Sequence, residues 1–170
     1  ELVAVNVNTG DIAWKATPGR VAVGSYAGNS TAGRTIDSVG FRPEWQLVKY
    51  GTSGSRWVHR PGASEAYGDY SLYFYPQIYA ADRISALRAR GFEVGADGEV
   101  NGTGGSVYHW ISFGQPPPAA EFVVKSGSYV GNATGPRAVE IGFQPDVVIV
   151  DNAGGGTSSD NAVIATSTMG

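Results

Sequence analysis

Cysteine is absent from this 170-residue chain, which excludes disulfide staples and thiolate metal sites and leaves the compartment open. Histidine is scarce: only His59 and His109 occur, each alone within an apolar strand pattern, and each reads as structural. Catalysis by a base and a nucleophile needs such groups in company. There is no Gly-x-Ser-x-Gly elbow, phosphate-binding loop or pair of metal-spaced histidines, so an enzyme reading has no residues to stand on. Charge is sparse, at 16% Asp, Glu, Lys and Arg. The net charge of −3 argues against a nucleic-acid partner, which would want a basic stripe. No apolar run approaches the roughly twenty residues that cross a bilayer, and no signal peptide precedes Glu1, which predicts a processed chain or part of a longer one.

What is present is glycine, proline and aromatic residues: Gly 25, Pro 9, Tyr 9 and Trp 4. Glycine supplies positive-φ turn positions and aromatics fill pleated surfaces, so the composition predicts an all-β protein with many tight turns. The chain also repeats itself. Gly24-Ser25-Tyr26-Ala27-Gly28-Asn29 returns as Gly127-Ser128-Tyr129-Val130-Gly131-Asn132, an offset of 127 − 24 = 103. Arg34, Ile36 and Gly40-Phe41-Arg42-Pro43-Glu44 return as Arg137, Val139 and Gly142-Phe143-Gln144-Pro145-Asp146, with one residue lost between the blocks. Such a repeat marks an array of one kind of unit.

The expected organisation is an N-terminal β-hairpin over 1–19, a complete unit over 20–115, a stiff Pro116-Pro117-Pro118 linker and a partial unit over 119–170. The second copy has 170 − 143 = 27 residues after Phe143, so its missing half is expected either from a longer multi-unit protein or from a neighbouring subunit. Within the first unit, alternation predicts strands at Val21–Tyr26, Arg34–Val39, Trp45–Tyr50, Arg56–His59, Leu72–Tyr75 and Ser106–Phe113. Pro43 belongs at a corner or at a strand's first residue. One short helix is expected near 82–90, with Asp82 as cap, Ile84 and Leu87 on one face and Gly91 as the stop. Asp97-Gly98 is expected as a hairpin turn.

Four sets of side chains are candidates for function. Trp57, Tyr67, Tyr70, Tyr73, Tyr75 and Tyr79 are denser than a core of this size requires, and exposed rings suit stacking on sugars or packing on another subunit. Asp97, Glu99 and Asn101 place oxygen ligands at alternate positions before a glycine, as Ca2+ prefers, although the twelfth loop position falls on Tyr108. Asp151, Asp160 and Asn161 bracket a second, Gly-Ser-rich loop of that kind. Sequons place glycosylation candidates at Asn29, Asn101 and Asn132, against the reading that these asparagines only shape turns. Leu2, Val3, Val5, Val7, Ile12 and Trp14 form the apolar stripe of the N-terminal hairpin and are candidates for assembly contacts.

The motif Gly-Ser-Tyr-x-Gly-Asn, then Arg-x-Ile/Val, then Gly-Phe-x-Pro-Glu/Asp before a hydrophobic strand, resembles tandem β modules of tailed-phage and prophage structural proteins, of tail-fibre or head-spike type. Gly91-Phe92-x-Val94-Gly95, Asn101-x-x-Gly104, Tyr108-His109, Phe113 and Thr166-Ser167-Thr168-Met169 extend the likeness over residues 20–170. Lys49 becomes Asp151 in the second copy, so no shared charged site follows. The resemblance implies a noncatalytic role without cofactor in an extracellular virion, with copies of itself, other virion proteins or cell-surface glycans as partners. Separately, Leu2-Val3-Ala4-Val5-Asn6 and Thr9-Gly10-Asp11-Ile12-Ala13-Trp14-Lys15 resemble part of a pyrroloquinoline-quinone type β-propeller blade, a fraction of a fold that needs several blades.

The expected fold is thus an all-β sandwich or jelly-roll-like unit, one complete and one partial, serving as a structural or adhesive component of an extracellular assembly. The alternative is a self-assembling filament joined by β-strand exchange, in which the hairpin of one subunit pairs with the incomplete unit of the next. A quinoprotein fragment is the third reading.

Overall fold

In Val107–Gly114, Tyr108, Trp110 and Ser112 are buried while Val107 and His109 are exposed, the period-2 alternation that makes a strand with two unlike faces. The same logic recurs along the chain, and the computed structural model shows an all-β fold. It describes residues 2–5, 12–16, 20–52, 54–74, 79–102, 104–114, 123–152 and 162–167. In chain order the elements are β1 (Leu2–Val5), β2 (Ile12–Ala16), β3 (Arg20–Ala27), β4 (Arg34–Ile36), β5 (Pro43–Tyr50), β6 (Trp57–Pro61) and a 3-10 helix (Gly62–Tyr67). Then follow β7 (Ser71–Tyr73), β8 (Tyr79–Ala80), β9 (Ile84–Arg88), β10 (Gly91–Val94), α1 (Gly98–Asn101), β11 (Val107–Gly114), β12 (Val147–Val150) and β13 (Val163–Thr166).

β1 and β2 form an antiparallel hairpin, with Leu2 opposite Ala16 and Ala4 opposite Trp14. The first unit is sandwich-like. A six-stranded antiparallel sheet in the order β3-β11-β5-β6-β7-β8 faces a three-stranded sheet in the order β4-β10-β9. Their inner faces share one core: Val48, Val58, Tyr73, Tyr108 and Trp110 from the large sheet meet Ile36, Ile84, Leu87, Phe92 and Val94 from the small one. β11 is next to the edge of the large sheet, paired with the edge strand β3 on one side and β5 on the other. The chain enters at Arg20 and leaves at Gly114, and these two residues are register partners on adjacent strands.

Tyr26, Tyr108 and Tyr50 stand side by side across β3, β11 and β5, stacked at 5.4 and 5.1 Å. Their row ends against α1, because the Tyr26 hydroxyl donates to the Val100 carbonyl (2.6 Å) and the Tyr108 hydroxyl donates to the Gly98 carbonyl (2.8 Å). A second inner row is polar. The Ser112 hydroxyl donates to Gln46, whose amide donates to the carbonyls of Leu47 (2.7 Å) and Ile111 (3.1 Å). Beside Gln46, the buried Arg60 donates to the carbonyls of Tyr70 (2.6 Å), Ile84 (3.1 Å) and Gly68 (2.6 Å), and burial lowers its pKa.

Two expectations are corrected. Residues 82–90 are not a helix: Ile84–Arg88 is strand β9, joined to β10 through Ala89-Arg90. The register shifts so that Leu87 faces Phe92, Ala86 faces Glu93 and Ile84 faces Val94, leaving Ser85 as a bulge residue. The bulge buries Ile84 and Leu87 together at a spacing of three, which imitates a helical stripe. Asp82 sits at φ 61° and accepts the Ala96 N–H (3.0 Å) instead of capping a helix. Among the described residues the single α-helix is Gly98–Asn101, where a hairpin turn was expected; Asp97 caps it by accepting the Glu99 N–H (2.8 Å). Pro43 is the first residue of β5, where a missing ladder donor is tolerated.

Two core tyrosines, Tyr26 and Tyr73, carry a pH dependence. Burial pushes the Tyr26 phenol far above its ordinary range, and burial together with the hydrogen bond to Glu99 pushes Tyr73 up to about 12. Both folded pKa values lie above that of an unfolded tyrosine, about 10. Their contribution to stability is therefore complete below pH 10 and is lost as the pH rises through the folded values. The thermal midpoint is expected to fall steeply between pH 10 and 12, and less steeply in Tyr73→Phe; an unchanged slope in that variant would remove Tyr73 from the account.

Candidate interaction surfaces

The outer face of the large sheet carries alternating rows, a polar one of Ser25, His109 and Lys49 that ends at Trp57, and beside it a largely apolar one. The second row of register partners crosses all six strands: Val23, Ile111, Leu47, His59, Leu72 and Tyr79. At the β3 end this face is open, with Val23 at 70% and Val21 at 48% exposure. In the middle it is covered, and Leu47, His59 and Leu72 are buried. His59 packs flat on Phe74 at 4.2 Å, and its Nδ1 accepts the Trp45 indole N–H (3.2 Å). Nε2 therefore carries the ring hydrogen and donates to Asp151 Oδ2 at 3.0 Å.

Asp151 belongs to the second copy of the repeat, as does Ser126, which donates its N–H (2.9 Å) and its hydroxyl (2.6 Å) to Glu44 and accepts the Ala63 N–H (2.9 Å). These bonds lay the second copy on the first unit. Sequence reasoning missed the His59–Asp151 pair, which joins positions 92 apart. The one available signal was the change from Lys49 to Asp151: Lys49 donates to the Ser55 carbonyl (2.5 Å), whereas Asp151 turns to His59. His59 is buried, as a structural histidine should be, but His109 is exposed.

Register sorts the aromatic candidates. Trp57 and Tyr79 point to the outer face, at 45% and 37% exposure, and Tyr79 meets the exposed Tyr70 edge-on at 4.7 Å. Tyr73 is corrected: it is in the core, because its register partner Val58 faces inward. Tyr67 belongs to the 3-10 helix, and Tyr75 lies outside the described residues. Leu2, Val3, Val5, Ile12 and Trp14 are on the paired strands β1 and β2, while Val7 lies outside the described residues.

The metal and glycan candidates at 97–101 are already engaged. Asp97 caps α1 and pairs with Arg83 (3.0 Å), and Glu99 binds Arg83 (3.1 Å) and the Tyr73 hydroxyl. Asn101 is fully buried; its Nδ2 donates to the carbonyls of Thr31 (2.8 Å) and Gly95 (2.9 Å), and its Oδ1 accepts the Asn29 N–H (3.0 Å). Neither a Ca2+ ligand nor a glycan site is accessible at Asn101 in the folded chain. Among the described residues no group of three or more His, Cys, Asp or Glu could hold a metal ion. Asn29 and Asn132 are exposed; Asp160 and Asn161 lie outside the described residues.

The second copy reproduces the first in local detail. Asn29 accepts the Thr31 N–H (3.0 Å), and Asn132 accepts the Thr134 N–H (3.2 Å). The central residues Ser30 and Ala133 both have φ 55°. Arg34 donates to the Ala27 carbonyl and lies 5.2 Å over Tyr26; Arg137 donates to the Val130 carbonyl and lies 5.3 Å over Tyr129. β12 and β13 stand for β5 and β6: Val147 pairs with Thr166 as Trp45 pairs with Pro61, and Val150 with Val163 as Val48 with Val58. Comparison with known proteins finds no matching family model, no matching curated protein and no matching solved structure. The first unit is thus the standard against which the second is read.

Proposed function

We propose that this chain is a noncatalytic structural and adhesive element of an extracellular assembly, of the kind found in tailed-phage virions. The observation that carries the reading is the outer face of the six-stranded sheet. Val21 and Val23 at its β3 edge, and Trp57 beyond the covered middle, leave apolar side chains exposed on a module whose core already lies on the other side. The repeated local structure supports serial use of one module, and the motif resemblance supplies the virion setting. The exposed Tyr70–Tyr79 pair and Trp57 offer ring faces to a sugar. The filament alternative is favoured by one feature, the free edge of β12, which pairs with β13 alone among the described residues.

Negative-stain microscopy with mass determination on natively isolated material tests the assignment. Phage-like particles that contain this chain are the expected result. Ordered fibres built from the 170-residue chain alone would overturn the virion reading in favour of the filament.

A further inference from the structure

Ser25, His109, Lys49 and Trp57 are register partners on β3, β11, β5 and β6, so their side chains stand in one line on the outer face, about 5 Å from strand to strand. Trp57 closes the line with an indole that is 45% exposed, and Ser25 and His109 are exposed along it. Lys49 is half-buried, and the Ser55 carbonyl holds its Nζ in place (2.5 Å). The His109 ring leans over Gly51, where a Cβ would stand 3.1 Å from Nε2, so the imidazole and the ammonium share one corner of the sheet. Neither forms an ion pair with another described residue. Asp151 reaches the same face, but its oxygens are engaged by His59 and by the Asn152 N–H (2.8 Å).

We infer that this row binds an acidic sugar, a pyranose that carries a carboxylate. Trp57 takes the apolar C–H face of the sugar ring, the Lys49 ammonium and a His109 ring N–H take the carboxylate, and the Ser25 hydroxyl meets a sugar hydroxyl farther along the line. The inference rests on the adhesive reading and names the ligand class of its Trp57 surface. An acid fits better than a neutral sugar, because two basic groups stand beside the indole without a carboxylate of their own. A nucleic acid does not fit, since the row offers two basic side chains rather than a basic stripe and the whole chain carries a charge of −3. The second copy lacks both ends of the site. Asp151 stands for Lys49 and would repel the carboxylate, and Ala162 stands for Trp57, just as Val163 stands for Val58. The site therefore belongs to the first unit alone.

The test is a glycan array that holds trigalacturonate, trimannuronate and sialyllactose, each beside its carboxyl methyl ester, probed with the labelled full chain. At least one acid is expected to bind saturably, with its ester about tenfold weaker for want of the charge-assisted contacts. Trp57→Ala should abolish binding, and Lys49→Gln should weaken it about tenfold while Lys49→Arg keeps it. Urea midpoints of these variants should stay close to the parent's, because both side chains lie outside the core. The comparison of acid with ester uses the parent chain and holds whatever the variants do. Silence toward all three acids, equal binding of an acid and its ester, or undiminished binding by Trp57→Ala would overturn the site. A chain present in phage-like particles but silent on the array keeps the structural role and loses the sugar. One that binds the acids but is absent from particles does the reverse, so the two readings fail separately.

Discussion

Asn101→Ala is expected to destabilise the chain by about 3 kcal/mol, read as a lowered denaturant midpoint with an unchanged slope. The side chain holds the turn after β3 and the loop after β10 to α1. It donates to Thr31 after β3 and to Gly95 after β10, and it accepts from Asn29 at the repeat turn. Alanine leaves those three backbone groups without their partner, and each buried unsatisfied group costs about 1–3 kcal/mol. The total stays near the lower end because Asn29 and Thr31 are exposed and water can reach them. Asn101→Asp should be at least as damaging, since a carboxylate cannot donate to the two carbonyls and carries a charge into a fully buried site. A midpoint shift below about 0.5 kcal/mol, the range of ordinary surface changes, would show that the turn and the loop are held by other means.

Trp110→Ala is expected to cost about 3–5 kcal/mol, the range for removing a large aromatic from a core. The indole is 4% exposed, lies flat against the space left by Gly24 and meets Phe92 edge-on at 6.0 Å. It sits at the middle of β11, the strand that joins β3 to the rest of the sheet. Truncation opens a cavity between the two sheets that the paired strands on either side cannot close. Trp57→Ala, with its ring on the outer face at 45% exposure, should stay within about 0.5 kcal/mol. Comparable losses in the two variants, measured by urea unfolding, would contradict the division into inner and outer faces.

The parts of this fold that were legible in the sequence depend on short-range pattern. Glycine and aromatic content marked an all-β chain, the doubled Gly-Ser-Tyr-x-Gly-Asn motif marked the repeat, and alternation in Val107–Gly114 marked β11. Ile84 and Leu87 misled because a bulge at Ser85 gives a strand the spacing of a helix. Asn101 misled for a different reason. Its neighbours Asp97 and Glu99 look like ligands until Arg83, well before them in the chain, is placed beside both. Which of the clustered aromatics face outward follows from strand parity, and parity follows from register with distant strands: Tyr73 is buried because Val58 is. The His59–Asp151 contact joins the two copies of the repeat, and no pattern within either copy encodes it.

Arg20 and Gly114, where the chain enters and leaves the sandwich, are opposed on neighbouring strands. Their backbones are therefore about 5 Å apart, one interstrand spacing. A sandwich attached this way hangs from the polypeptide as a closed side loop, so its insertion hardly changes the path of the chain that carries it. Tension applied through those two points would not shear the sheet along its strands. It would separate β3 from β11 one hydrogen-bonded pair at a time, beginning at Arg20 and Gly114, and the module would yield as a zipper does.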